Sequence, residues 1–426
     1  MFSMIRKTRK HFNEGGGIMS PKAKKKKKWK RARHFVVRQI LSVTLGPYSK
    51  LRYKAKVEKF KEQEKRPYLV LFNHQTPFDQ FFVGMSVRGQ VYYVASEDIF
   101  SNGWTSSAIK FLQAPIPIKK GATDIKAVLN CMKVIGEGCT IAMAPEGNRT
   151  YSGKTEYISP SIVPLAKKLG VPIVLYRIEG GYAVHPRWSD KVRGGRMHCY
   201  VSRVIDPAEY AEMSNDELYE AIKEGLYVND ARQGHTFRSK KSAEYLERAF
   251  YTCPFCGLSG LESHGNTVEC KKCHRVFEYL PTMEIVGRDC ELPFRHLYEW
   301  YDAQASLMNS LDVLSMTESP VYVDTASLFE VIPSKRKRRV AKKCDVELYG
   351  DRAVISYGDT SLELKYSDVT AAAVLGRNKL NIYHGGRIYQ LKGDRHFNAV
   401  KYVHFYYRYK NLAKKGINAY AEFLGL

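Results

Sequence analysis

Apolar positions along this chain come in short blocks whose period changes from block to block. From Arg31, the positions Phe35, Val36, Val37, Ile40, Leu41 and Leu45 recur at helical spacing with Arg31, Arg33 and Arg38 between them, which predicts a short amphipathic helix ending near Gly46-Pro47. Tyr68 to Phe72 is then a continuous apolar run bounded by Pro67 and Asn73, the length and flanks of a buried strand. Further strands are predicted over Val91–Ala95, Cys139–Ala144, Val171–Val174 and Met197–Val204. Helices are predicted over Trp104–Leu112, Asp124–Ile135, Leu165–Gly170 and around Glu217–Tyr227. Strands alternating with helices predict an α/β sheet flanked by helices. Past it, Leu292–Leu311 reads as a helix. From Cys344 the period falls to two, through Val346, Leu348, Val354, Leu362, Leu364, Leu380 and Ile382, with turns at Gly350-Asp351, Gly358-Asp359 and Gly385-Gly386. That predicts a small β-rich domain, capped by a helix over Phe397–Leu412 that buries Phe397, Val400, Val403 and Tyr407.

At 426 residues the chain is long enough for two or three domains. Charge divides it unevenly: residues 1 to 66 carry 22 Lys/Arg against 4 Asp/Glu, most of the net +25. Residues 1–30, with Gly15-Gly16-Gly17 and the run Lys24 to Lys28, hold too little apolar surface to fold alone, and a disordered basic tail is expected. Residues 31–66 are expected to form a helical segment that lies on an anionic membrane, each Lys/Arg near the surface contributing about 1 kcal/mol. No run of 18 apolar residues and no secretory signal pattern occurs, so the expected location is cytoplasmic, on the inner face of the cell membrane.

The stretch His74-Gln75-Thr76-Pro77-Phe78-Asp79 sets an imidazole and a carboxylate five positions apart just beyond a strand. On one continuous helix they would point about 140° apart, so their contact requires a turn, which Thr76-Pro77 supplies. Together with Ala144-Pro145-Glu146-Gly147-Asn148-Arg149-Thr150 downstream, Asn73-His74 to Asp79 resembles the paired motifs of the glycerolipid acyltransferases typified by lysophosphatidic acid acyltransferase. The resemblance implies catalysis by His74 and Asp79 and acceptor binding by Glu146, Gly147 and Arg149. Lys120, beside Lys119, is the nearest match to the family's phosphate-binding arginine, and a lysine there binds as a point charge without the two-pronged grip of arginine. Ser159-Pro160-Ser161-Ile162-Val163-Pro164 departs from the family pattern.

Nine cysteines are present. Cys253-x-x-Cys256 and Cys270-x-x-Cys273 have the spacing of a zinc ribbon, four sulfurs leaving no position for water, so a structural Zn(II) is expected. His264 and His274 are substitute ligands, and Cys131 and Cys139 read as core residues.

The expected plan is a basic tail (1–30), a membrane-associating helix (31–66), an acyltransferase domain (67–230), a zinc ribbon (250–280), a helical connector with a basic linker (281–340) and a β domain (341–415) similar to pleckstrin-homology and GRAM modules. The expected activity is transfer of a fatty acyl group from acyl-CoA or acyl carrier protein to the hydroxyl of lysophosphatidic acid or another phosphorylated lysolipid. The expected partners are an anionic membrane surface, that lysolipid and, as a donor, acyl carrier protein. A basic zinc-ribbon protein that binds nucleic acid is the rival reading, which leaves both motifs without a purpose.

Overall fold

The computed structural model of the protein describes residues 28–61, 67–96, 104–118, 124–332 and 337–415. The chain enters through two consecutive helices, α1 (Ala32–Val43) and α2 (Leu45–Tyr53), broken at Thr44, so Gly46 and Pro47 sit in the first turn of α2 instead of ending a helix. Pro47 is tolerated there because first-turn N–H groups have no intrahelical acceptor to lose.

One mixed sheet follows, built from β1 (Ala55–Val57), β2 (Leu69–Phe72), β3 (Val91–Ser96), β4 (Ile116–Ile118), β5 (Thr140–Met143), β6 (Ile173–Glu179) and β7 (Met197–Ile205) in the spatial order β1-β7-β6-β2-β5-β3-β4. The strands from β6 through β4 are parallel, β7 runs against β6, and β1 lies parallel to β7. The helices between them are α3 (Asp79–Ser86), α4 (Trp104–Leu112), α5 (Ile125–Gly136), α6 (Ile162–Leu169), the single turn α7 (Gly181–Val184), α8 (Pro207–Ala211) and α9 (Asn215–Leu226).

The unbroken apolar run of β2 has a direct cause. Leu69 and Leu71 face one core with Cys131, Val134 and Ile222, while Val70 and Phe72 face another with Phe82 and Tyr53, so helices cover the sheet on both sides. Each such side chain contributes about 1.5–3 kcal/mol by leaving water. Cys131 and Cys139 are buried in the first of these cores.

Two boundaries move from their expected places. β1 pairs with β7, and Ala55 in β1 and Tyr53 at the end of α2 are buried in one core with β2, so the α/β unit starts before residue 67. Trp29 and Lys30 are not loose either: both main-chain N–H groups donate to the Glu137 carboxylate, at 2.9 and 2.8 Å. The tail before residue 28 lies outside the described residues.

Beyond the sheet, β8 (Thr252–Cys253) and β9 (Gly257–Leu258) form a hairpin, and β10 (Leu261–His264), β11 (Thr267–Cys270), β12 (Val276–Tyr279) and β13 (Ile285–Gly287) an antiparallel sheet. The helix α10 (Leu297–Ser310) starts five residues later than its apolar pattern. A seven-stranded antiparallel sheet then orders β17-β16-β15-β14-β20-β19-β18, from β14 (Tyr322–Glu330), β15 (Arg338–Leu348), β16 (Arg352–Tyr357), β17 (Thr360–Lys365), β18 (Val369–Leu375), β19 (Lys379–His384) and β20 (Arg387–Gly393). Its first strand, β14, falls in what reads as linker, so residues 281–340 are not all connector. Within β16 the inward pair is Ala353 and Ile355, one register off the expected Val354.

The last helix, α11 (Val400–Lys415), starts three residues later than expected; Phe397 just before it and its Val400, Val403 and Tyr407 are buried, and so are Tyr402, Phe405 and Tyr406 on its other sides. The reason is tertiary. Tyr251, Met308 and Val313 share one core with this helix and the sheet, so α11 lies between the sheet and α10. Among the described residues no helix is long and apolar enough to cross a membrane.

Candidate active site

β2 ends at Phe72, and the chain turns through residues 74–78 before Asp79 opens α3. The turn closes on the Asp79 carboxylate. Its Oδ2 accepts from Gln75 N at 2.7 Å and Thr76 N at 3.0 Å, its Oδ1 accepts from the Thr76 hydroxyl at 2.6 Å, and Oδ2 lies 2.8 Å from His74 Nδ1. Asp79 is fully buried. With so many donors converging on it the ionised form is the one that fits, and an ionised carboxylate only accepts. His74 Nδ1 therefore carries the proton and donates, which leaves the Nε2 lone pair for chemistry on a ring that is 26% exposed.

Asn73 fastens the same corner to the neighbouring strand: its Nδ2 donates to Ile178 O at 2.8 Å and its Oδ1 accepts from Ile178 N at 2.7 Å. The side chain continues the ladder where β2 and β6 diverge.

Glu146 is not set out into the cleft. It is buried, its Oε1 accepts the His74 N–H at 2.7 Å and its Oε2 the Glu156 N–H at 2.7 Å. Burial raises its carboxyl above the ordinary range, against the pull of those two N–H groups. Each oxygen thus takes one main-chain N–H, and through them Glu146 ties the His74 backbone to Glu156. Gly147, exposed and at φ +67°, makes the turn that follows. Thr150 N then donates to His74 O at 3.0 Å, tying the two motifs backbone to backbone.

Arg149 reaches across the turn, its Nε donating to Gln75 O at 3.2 Å and its Nη2 to His185 O at 2.9 Å. Burial, with Arg187 alongside, lowers its pKa to about 10, so it stays cationic at neutral pH. Lys119 and Lys120 lie outside the described residues.

Sequence reading missed His185, which joins Arg149 to two other parts of the chain. Its Nδ1 is 2.7 Å from the Tyr53 hydroxyl and its Nε2 is 3.0 Å from Arg377 Nη2, on the turn between β18 and β19. Burial first, then the charges of Arg149 and Arg377, press its pKa down to about 3. No local pattern marks this residue, because its partners lie 132 and 192 positions away.

An apolar cleft opens beside the turn, lined by Val37, Leu41, Phe81, Met85 and Leu112. Over it, Phe35, Val36, Ile40, Val43 and Leu51 of α1 and α2 are exposed, as are Phe111 and Leu112 of α4.

Away from this corner, the sulfurs of Cys253, Cys256, Cys270 and Cys273 all lie within 4.8 Å of one another. Tetrahedral zinc with bonds of about 2.3 Å would hold sulfurs about 3.8 Å apart, and Cys253 Sγ is 3.8 Å from Cys273 Sγ. His264 and His274 are outside the cluster, exposed and paired with Glu262 and Glu269.

Residues 53–178, which carry the dyad and the Glu146–Arg149 turn, match the family model described as Acyltransferase, and this segment is an acyltransferase-family domain. Its curated relatives are glycerolipid enzymes. A chloroplastic 1-acyl-sn-glycerol-3-phosphate acyltransferase of Brassica napus is 21% identical over 201 residues, 45% of this chain and 56% of that protein. The Arabidopsis thaliana chloroplastic counterpart is 21% identical over 189 residues, covering 43% and 51%. The enzyme of the same name from Bacillus subtilis (strain 168) is 21% identical over 160 residues, covering 37% and 77%. The chain thus spans about half the length of the two plant relatives. The crystal structure of the 1-acyl-sn-glycerophosphate acyltransferase of Thermotoga maritima aligns with a TM-score of 0.38 at 21% identity, covering 45% of this chain and 77% of that one.

Proposed function

We propose that the protein is an O-acyltransferase that moves a fatty acyl group from a thioester carrier, acyl-CoA or acyl carrier protein, to the free hydroxyl of a lysophosphatidic acid-like acceptor. The observation that carries this reading is the His74–Asp79 pair at 2.8 Å, which leaves one imidazole lone pair free on a partly exposed ring. The names of the relatives support the choice of acceptor.

In the reaction, His74 Nε2 takes the acceptor's hydroxyl proton as that oxygen attacks the thioester carbonyl. Asp79 holds the ring and stabilises the imidazolium. The tetrahedral intermediate then expels the thiolate, the ester forms, and the imidazolium returns its proton to sulfur. Arg149 keeps donor capacity and positive charge beside the turn, which suits an acceptor's phosphate. The cleft lined by Leu41, Phe81 and Met85 suits an acyl chain, and the exposed apolar row above it, with Arg31 and Arg33 alongside, suits an anionic membrane surface. Zn(II) would be held by Cys253, Cys256, Cys270 and Cys273, where it supplies folding energy and no step of the transfer.

Acyl transfer from acyl-CoA and acyl carrier protein to a panel of lysolipids tests the reading. Product that forms with wild type and disappears with His74→Ala supports it; no transfer from either donor to any phosphorylated lysolipid overturns it.

A further inference from the structure

A second cavity, of about 480 Å³, lies at the same end of the sheet as His74, and all of its lining residues except Lys54 come after the matched segment 53–178. Its walls come from the end of α2, the loop before β7 and the loop after α9. Lys54, Arg196 and Arg238 line it together with His235, and no acidic side chain does. The side chains of these three exposed cations meet no carboxylate and no hydrogen-bond partner among the described residues. Gly195 and Gly234 also form its wall, and their N–H groups meet no protein acceptor among the described residues. The nearby carboxylates are already engaged: Asp230 accepts from Gly180 N at 2.8 Å and Tyr182 N at 2.9 Å, and Glu179 accepts from the Tyr200 hydroxyl at 2.7 Å. Free cations and free main-chain N–H groups around a hollow are what a multiply charged phosphate ligand needs.

The cavity is a short step from the dyad. A Cβ on Gly180 would lie 2.3 Å from Arg196 O and 3.3 Å from His235 Nδ1, while a Cβ on Gly181 would lie 2.6 Å from the Cβ of Gln75. Since neighbouring Cα atoms are about 3.8 Å apart, Arg196 O lies at most about 12 Å from the Cβ of Gln75, the residue next to His74. On the reading above the acceptor's phosphate goes to Arg149, which donates to Gln75 O beside the dyad. A pantetheine arm, with two amide units between its thioester and its first phosphate, spans the gap.

We propose that this cavity binds the phosphorylated nucleotide end of a coenzyme A donor, with Arg196, Arg238 and Lys54 on its phosphates and the thioester at His74. The assignment rests on the acyltransferase reading above and adds to it the donor and the place of its nucleotide.

The test uses the full-length chain and the double variant Arg196→Ala/Arg238→Ala, whose replaced side chains are exposed. With acyl-CoA, KM for the donor should rise about tenfold or more, as expected on losing charge-assisted contacts, while KM for the acceptor stays the same. With the same acyl group on pantetheine, which lacks the nucleotide, wild type and variant should behave alike. Adenosine 3′,5′-bisphosphate, followed by calorimetry, should bind wild type and not the variant. An unchanged KM for acyl-CoA overturns the site, as does a defect confined to acyl carrier protein. If wild type transfers no acyl group yet binds the bisphosphate through these arginines, the site stands and the activity reading falls.

Discussion

Arg377 Nη2 lies 3.0 Å from His185 Nε2, joining the C-terminal sheet to the loop that braces Arg149. A guanidinium only donates, so Nε2 must accept, and His185 is the tautomer with its proton on Nδ1, donated to the Tyr53 oxygen. Arg377 also meets Asp190 at 3.3 Å, and Arg187 Nη2 donates to Val374 O at 3.1 Å, so the contact is part of a wider seam. Arg377→Ala should therefore loosen Arg149 and raise KM for the phosphorylated acceptor by about three- to tenfold, the scale of one lost hydrogen bond, with a smaller change in kcat. Steady-state kinetics on the acceptor checks this; unchanged KM separates the C-terminal sheet from the site.

His74→Ala should lower kcat by about two to four orders of magnitude, the usual contribution of a positioned general base. Its melting temperature should hardly move, because the ring is partly exposed and makes one side-chain hydrogen bond. Asp79→Asn should fall between wild type and that variant in activity but lose more stability, since the buried carboxylate also satisfies Gln75 and Thr76. Paired kinetics and thermal melts distinguish the two profiles.

Glu146→Ala should act on the catalyst and not on acceptor affinity. It strips acceptors from the N–H groups of His74 and Glu156, each costing about 1–3 kcal/mol when left buried and unpaired. A lower melting temperature and lower kcat at constant acceptor KM are expected. A rise in acceptor KM alone would return Glu146 to the ligand-binding role that its motif suggests.

Metal analysis of purified protein should find one zinc per chain, and Cys253→Ser with Cys270→Ser should abolish it and lower the melting temperature. Protein that carries no zinc and is indifferent to chelators would show the four sulfurs to be a reduced cluster without metal.

Two buried histidines make the fold acid-labile. Burial holds both His185 and His404 down to about 3, the latter with its Nδ1 2.7 Å from the Tyr251 hydroxyl. Each binds a proton more weakly folded than unfolded, where the value is about 6.5. Their contribution to stability is thus present above about pH 6.5 and is lost as pH falls toward about 3. Melting temperature measured from pH 7 to 4 should drop steadily, and His404→Gln should flatten that slope. A slope that His404→Gln leaves unaltered would assign the acid loss to other groups.

The sequence by itself determined what depends on near neighbours. The unbroken apolar run at Leu69–Phe72 required a strand covered on both faces, and a five-residue His–Asp interval across Thr76-Pro77 required a turn. Two Cys-x-x-Cys knuckles sufficed to bring four sulfurs together, because each pair is set by its own short loop. Tertiary structure decided the rest. Glu146 and Arg149 share one motif, and only the folded chain shows that main-chain N–H groups already reach both carboxylate oxygens of Glu146. β14 was hidden because its face alternates weakly and its partner β20 arrives some sixty residues later. Tyr53, His185 and Arg377 carry no local signature at all. They meet because the end of α2, the loop before β7 and the β18–β19 turn converge at one end of the sheet, and a contact across 132 or 192 residues leaves no trace in the spacing of either partner.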